Sequence, residues 1–221
     1  MRIKRERALD LRRAVSESIV IELAEKINNS DLNDLSFLEE VLKTDTPEVL
    51  VNFLKEENYQ YENAMLKVSR ALTNIAAGEG KAVPRLVELG IIKKAVDLVQ
   101  HESFEISGNA FAILANIAGQ SLEDRDQILY DEGMENISQS LLSKESKRGS
   151  KEPFEEDLTW FLSVLFRGRP YPDFSLVDIL SSFETFIFLA DPLFPNSTGY
   201  FIQFSMPRGY QGLFGVLVFL C

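Results

Sequence analysis

A short helical phrase occurs three times in this chain and restricts its possible folds more than any other feature. It reads RALTNIAAG from Arg70 to Gly78, AILANIAG from Ala112 to Gly119, and WFLSVLF from Trp160 to Phe166. The first two copies begin 42 residues apart, and the third begins 48 residues after the second. A step near 40 residues, marked by apolar helical phrases, is typical of a helical repeat array. The alternative is a set of unrelated amphipathic helices with alanine-rich ends.

The apolar positions of the three copies are aligned. They are Leu72, Leu114 and Leu162, followed three positions later by Ile75, Ile117 and Leu165. Residues three apart share one face of a helix, so each copy is predicted to bury this face. We therefore predict an all-α fold, a solenoid of about four repeats.

Capping and breaking residues place the helix ends. Thr46 is predicted to cap a helix whose first residue is Pro47. Ser121 and Asp124 form a predicted capping pair at the start of another helix, and Gly90 divides one helical segment into two short helices. The predicted helical segments are 14–27, 32–42, 60–77, 84–100, 106–118 and 155–167.

The charge and the cysteine content exclude several classes of protein. The formal net charge of −11 argues against a general nucleic-acid binder. It suits cationic partners, or it serves only to keep the chain soluble. Cys221 is the sole cysteine, so the chain has no disulfide framework or zinc cluster of its own, which fits a reducing compartment. Met1–Arg13 contains six basic residues with no apolar stretch after it, so no secretory signal is expected.

The sequence supplies little for catalysis, and we predict that the chain is not an enzyme. His101 is the only histidine and is predicted to lie in an exposed turn, with no nucleophile motif around it. The GEG at Gly78–Gly80 is interpreted as a helix end, where glycine adopts the left-handed conformation, and not as a phosphate loop. No cofactor is expected. The apolar segment Leu213–Cys221 is too short to span a bilayer, so no membrane association is predicted.

Three regions follow from these patterns. Residues 1–13 form a basic N-terminal segment, residues 14–192 the helical array, and residues 193–221 a hydrophobic tail without helical period. A solenoid normally ends in a cap with a polar outer face. The tail has the opposite character, so we expect either a truncated or mis-spliced terminus or a hydrophobic docking tail.

The repeated phrases, together with DLTWFLSVLFRGRP from Asp157 to Pro170, resemble the armadillo repeats of the importin-α family, the adaptors for nuclear import signals. The resemblance extends from about residue 14 to Pro192 and is strongest from Leu66 to Arg167. It implies an armadillo-type right-handed α-solenoid that covers the first four or so of the family's roughly ten repeats. In that family, Trp and Asn four residues apart on successive third helices line a groove for an extended basic peptide.

Only part of this motif is present. The resemblance implies a peptide-binding groove formed by Asn74, Asn116 and Trp160. At the positions of the other two tryptophans the chain has Arg70 and Ala112, and Val164 replaces the third asparagine. The position of the family's lysine-binding carboxylate falls on Gln120, and that of an assisting threonine falls on Val83. Each surviving residue also has a purely structural interpretation, as a helix-end asparagine or a packed aromatic.

The resemblance implies partners as well as a site. Basic nuclear-localisation-signal peptides or cargo proteins are expected to bind weakly, in the cytoplasm and the nucleus. Met1–Arg13 resembles in charge the family's importin-β-binding segment, or it is a solvated helix start. The alternatives are an armadillo scaffold or regulatory protein that has lost signal binding, and a truncated gene-duplicate product.

Overall fold

The computed structural model describes the central part of the chain and a few short segments beyond it. The described residues are 17–31, 35–78, 80–130, 135–137, 139–140, 157, 160–161, 164–165, 201–203 and 217–219. The predicted basic segment 1–13 lies outside the described residues, and so does most of the predicted tail 193–221.

The described central part is built of helices in a repeating order. Their bounds are α1 at residues 17–28, α2 Leu35–Leu42, α3 Thr46–Phe53, α4 Glu62–Ala76, α5 Ala82–Glu88, α6 Ile91–Leu98, α7 Phe104–Gln120 and α8 Leu122–Tyr130, with a 3-10 turn at Glu56–Asn58. Residues 135–137 and 139–140 (α9) and residues 157, 160–161 and 164–165 (α10) are also helical. Helices α2–α4 and α5–α7 are two successive triplets, each with two short helices and one long one. This is the predicted all-α repeat array.

The long third helices pack side by side and form the centre of the core. Helix α4 packs along α7, and α7 in turn contacts α6 and α8. The aligned apolar residues of the repeated phrase are fully buried, namely Leu72, Ile75, Leu114, Ile117 and Leu165. Leu162 lies outside the described residues. The three-residue spacing therefore identifies the buried face of these helices, as predicted.

Most predicted helix ends are correct to within about two residues, the usual uncertainty of such boundaries. Gly90 has φ 79° and separates α5 from α6, as predicted. The hydroxyl of Ser121 accepts a hydrogen bond from the Asp124 amide at 3.1 Å, which confirms half of the predicted capping pair. Thr46 is not the cap of α3 but its first residue, and its own amide donates to the Thr44 hydroxyl at 3.2 Å.

The two glycines after α4 have different roles. Helix α4 ends at Ala76, and the residue with left-handed geometry is Gly80, with φ 75°. Gly78 lies so close to α2 that a Cβ built on it would be 2.2 Å from Cδ2 of Leu38. Gly78 is thus required for close packing and Gly80 for the turn, so the predicted left-handed helix end is correct only for Gly80.

His101 is not exposed, which corrects the prediction from its polar neighbours. Only 8% of its surface is accessible. Its Nδ1 accepts a hydrogen bond from the Ser103 amide at 3.1 Å, and its ring meets Tyr59 edge-on at a centroid distance of 5.0 Å. The imidazole therefore secures the turn before α7, a packing role that a polar sequence context does not reveal.

Two short strands lie within the predicted tail. β1 (Phe201–Gln203) pairs antiparallel with β2 (Leu217–Phe219), and Ile202 is opposite Val218. Among the described residues, no helix is long and apolar enough to cross a membrane.

Candidate functional site

The third helices each carry one line of accessible residues opposite the buried face. On α4 these are Asn63, Lys67, Arg70, Asn74 and Ala77, and on α7 they are Glu105, Asn109, Ala112, Asn116 and Gly119. Steps of three and four residues keep each line on one side of its helix. We call these two lines, together with Trp160 and Val164 of α10, the third-helix surface. Ala112 is its only buried member among the described residues, at 4% exposure.

Asn74 lies on this surface but is bonded to the preceding helix. Its Nδ2 donates to Oδ1 of Asn28 on α1 at 3.0 Å, and Nδ2 of Asn28 donates to the carbonyl of Lys67 at 3.0 Å. Lys67 also forms an ion pair with Glu25. The Asn74 amide therefore joins α1 to α4, and one of its donors is used within the array. No motif in the sequence singled out Asn28, although it lies one 42-residue step before Arg70.

A second set of hydrogen bonds fixes α4 against α7. Nδ2 of Asn109 donates to the Ser69 hydroxyl at 3.0 Å, and the Thr73 hydroxyl donates to the Asn109 carbonyl at 3.1 Å. Because these bonds join residues 36 and 40 positions apart, they set the register of one repeat on the next.

The side chain of Gln120 also bonds one repeat to the next. Its Nε2 donates to the carbonyls of Ala76 and Gly78, at 3.2 and 3.3 Å, at the C-terminal end of α4. The last carbonyls of a helix lack intrahelical donors. A carboxylate at this position could not donate to them and would face the negative end of the helix dipole. The other carried-over position, Val83, is buried.

Asn116 differs from Asn74 and Gln120, whose side-chain amides bond to neighbouring helices. Asn116 is half-buried, and within the part of the chain that the structure describes its side chain has no hydrogen-bond partner. Trp160 is 41% exposed. Their helices are adjacent, because Phe111 of α7 meets Phe161 of α10 at a ring-centroid distance of 5.5 Å. The structure therefore places Asn116 and Trp160 on two helices in contact.

Arg70 is exposed on the third-helix surface, and none of the described carboxylates pairs with it. Lys67, one turn earlier on the same line, is neutralised by Glu25. Arg70 thus leaves a net positive charge where the related motif has an aromatic ring.

A separate open cleft of about 990 Å³ lies away from this surface. Its lining includes Tyr59, Lys94, Asp97 and His101, and none of the six predicted groove residues contributes to it. Because both signs of charge line the cleft, it indicates no particular class of ligand. Among the described residues, no cluster of three His, Cys, Asp or Glu side chains could hold a metal ion.

Comparison with curated proteins finds importin-α subunits. The chain is 33% identical over 143 residues to importin subunit alpha-1b of Oryza sativa subsp. japonica, an alignment covering 63% of this chain and 25% of the relative. It is 32% identical over 140 residues to importin subunit alpha-6 of Arabidopsis thaliana, covering 62% and 24%. The chain thus spans about a quarter of the length of the curated relatives it matches. No protein-family model matches it.

Solved structures with a similar fold are armadillo repeat proteins. A computationally designed armadillo repeat protein for modular peptide recognition aligns with TM-score 0.61 and 19% identity, over 82% of this chain and 68% of that one. A designed armadillo repeat protein in complex with the peptide (KR)4 aligns with TM-score 0.54 and 17% identity, over 81% and 75%. At these identities the likeness establishes the fold alone. The chain is an armadillo-type α-solenoid whose sequence is a partial and divergent match to the importin-α family.

Proposed function

We propose that this chain is an importin-α-like adaptor that binds a short, extended, basic segment of a cargo protein across the third-helix surface. The observation that carries the proposal is that Asn116 and Trp160 lie on two third helices in contact through Phe111 and Phe161. Asn116 offers an amide without an internal partner, and Trp160 offers an exposed indole. Basic nuclear localisation signals are the class of ligand that fits this pair.

The chemistry of the pair suits a lysine or arginine within an extended chain. The carboxamide of Asn116 has both a donor and an acceptor, so it can bond a peptide N–H and C=O together. The indole of Trp160 packs along the aliphatic stem of the basic side chain and attracts its charge through the ring face. The binding is therefore to a backbone and one cation, which is the minimum needed to recognise a basic segment.

The same surface explains why binding should be weak. The two other indole positions hold Arg70 and Ala112, and Asn74 is already bonded to Asn28. Each indole slot is worth about 0.5–2 kcal/mol. Losing two of them lowers affinity by about 5- to 10³-fold, at 1.4 kcal/mol per decade. The proposed cargo groove is therefore a degraded one, with fewer indole slots than the family's groove.

The ligand charge, the carrier protein and the cellular location are also part of the proposal. The net charge of −11 favours a cationic ligand. Met1–Arg13 is proposed as the segment that contacts importin-β, by its charge alone. Action in both the cytoplasm and the nucleus follows from an import role.

Fluorescence anisotropy with a labelled lysine-rich import peptide at low salt tests the proposal. Trp160→Ala should weaken binding by about 2- to 30-fold, the loss of one cation–π slot. Asn116→Ala should weaken it by about 2- to 10-fold, the net value of one hydrogen bond. Asn52→Ala is the control, because it removes an exposed asparagine of α3 that lies outside the third-helix surface and should leave affinity unchanged. Circular dichroism confirms that each variant is folded.

Absence of binding, or equal affinity of the wild type and the Trp160 and Asn116 variants, would remove cargo recognition from this surface. A scaffold that has lost signal binding is the second candidate. It is favoured by Asn74 and Gln120, since both are used in bonds between repeats. Pull-down with importin-β separates the two, using the full chain against a deletion of Met1–Arg13. Only the adaptor should lose importin-β on deletion.

A further inference from the structure

The internal symmetry of the array predicts that Arg70 lies beside Asn116, one member of the proposed binding pair. Asn28 on α1 bonds Asn74 on α4. One 42-residue step takes Asn28 to Arg70 and Asn74 to Asn116. Because the third helices stack one repeat after another, Arg70 and Asn116 are expected to be the next pair of neighbours.

The charge at this position is not balanced within the described structure. Arg70 is exposed and has no ion pair among the described residues. From residue 66 to residue 74, one turn to either side, α4 carries no carboxylate. The nearest other cation on the line, Lys67, already has Glu25. Any peptide that reaches Asn116 therefore passes a guanidinium that repels a basic side chain and attracts an acidic one.

We propose that Arg70 is a specificity-determining residue that selects an aspartate or glutamate in the bound peptide. The proposal rests on the function proposed above and narrows its ligand class. The preferred ligand is an extended segment of mixed charge, with Lys or Arg at Trp160 and an acidic residue at Arg70. Arginine suits this role because its planar guanidinium can donate two parallel hydrogen bonds to one carboxylate.

The stacking of the helices sets the distance between the two charges of the ligand. Arg70, Ala112 and Trp160 are the aligned residues of three successive third helices, so two helix spacings separate the first from the last. Packed helices lie about 8–10 Å apart, which makes roughly 16–20 Å. An extended chain rises about 3.3 Å per residue. The acidic residue should therefore lie about five or six positions from the basic one.

Anisotropy with matched peptides tests the selection. One set carries Glu, Gln or Lys five or six positions before a fixed basic residue, and the other set carries them five or six positions after it. In one of the two orders, the wild type should bind the Glu peptide about 2- to 5-fold tighter than the Gln peptide, as expected for an exposed ion pair. Arg70→Glu should reverse the order and prefer the Lys peptide. Lys93→Glu is the control, because it changes the net charge equally from an exposed site on α6.

The outcomes separate this proposal from the one it rests on. Equal binding of the Glu and Gln peptides in both orders, with Trp160→Ala still weakening them, overturns the role of Arg70 and leaves the proposed function intact. A change of preference in Lys93→Glu as large as that in Arg70→Glu also overturns it, since bulk charge would then explain the effect. Failure of every peptide to bind overturns both proposals.

Discussion

Two asparagines from the same repeated phrase have different environments because their neighbours on the preceding helix differ. Asn74 meets Asn28, a short side chain that bonds it at 3.0 Å. For Asn116, one repeat later, the residue equivalent to Asn28 is Arg70, which is exposed and makes no bond to Asn116. The role of a groove residue in this array therefore depends on the residue one step earlier in the chain.

Ionisation of Tyr59 should make the free energy of unfolding fall as pH rises in the alkaline range. Burial raises the pKa of its hydroxyl above 10.0, and the carboxylates of Asp97 and Glu56 raise it further. Above about pH 10, the unfolded chain releases this proton while the folded chain retains it, so the free energy of unfolding falls as pH rises. Tyr59→Phe should remove this part of the decline. Urea unfolding at pH 8 and above pH 10 measures it.

Tyr61→Phe is the control for Tyr59→Phe, because it removes a hydroxyl two residues away. The Tyr59 variant should lose less stability between the two pH values than either the wild type or the Tyr61 variant. Parallel losses in all three proteins would show that Tyr59 does not cause the alkaline decline.

The sequence predicted what the local pattern determines, and it could not predict what other repeats determine. Leu72 and Leu114 are buried as their spacing requires. The predicted exposure of His101 is wrong because its polar sequence neighbours do not reveal the edge-on contact of its ring with Tyr59. The bonds of Gln120 to the end of α4 depend on how two helices 40 residues apart stack, which no local pattern contains. The helical period alone predicts that the groove residues lie on one surface. Their hydrogen bonds depend on how neighbouring repeats stack, which the local sequence does not give.

At the scale of the helical element, two glycines that end the repeated phrase should respond differently to alanine. In Gly78→Ala the new Cβ would overlap Cδ2 of Leu38, whose side chain is 4% exposed and would have to shift. We expect a loss of about 1–3 kcal/mol, typical of overpacking. In Gly119→Ala the new Cβ would make an ordinary contact of 3.5 Å with Val164, within helix α7.

Gly119→Ala is therefore the matched control, and it should be neutral or stabilising by up to about 1 kcal/mol because alanine favours helix over glycine. Urea denaturation of both variants measures the difference. Equal stabilities would mean that α2 and the end of α4 are less closely packed than their geometry indicates.

For the whole molecule, polar bonds at one-repeat separation join α1 to α4 and α4 to α7. Asn28 to Asn74, Asn109 to Ser69 and Gln120 to Gly78 span 46, 40 and 42 residues. Contacts of this range are what a solenoid uses in place of one central core. They hold the lines of α4 and α7 side by side, so the third-helix surface is continuous because the repeats stack and not because of any one residue.

The charge of the whole molecule should control how fast a basic peptide arrives. A net charge of −11 attracts a lysine-rich peptide over a Debye length of about 10 Å at 0.1 M salt and about 3 Å at 1 M. The association rate measured by stopped-flow fluorescence should therefore fall about tenfold or more between 50 mM and 1 M salt. The dissociation rate, set by the contacts of Asn116 and Trp160, should change less.

A peptide of the same length in which glutamine replaces every lysine except the one for Trp160 is the control, and its association rate should depend much less on salt. If the two peptides respond alike, the acidity of this chain does not steer its ligand. The charge would then serve solubility alone, and recognition would depend only on the contacts at Asn116 and Trp160. If only the association rate of the lysine-rich peptide falls steeply with salt, the negative charge of the whole molecule contributes to attracting the ligand.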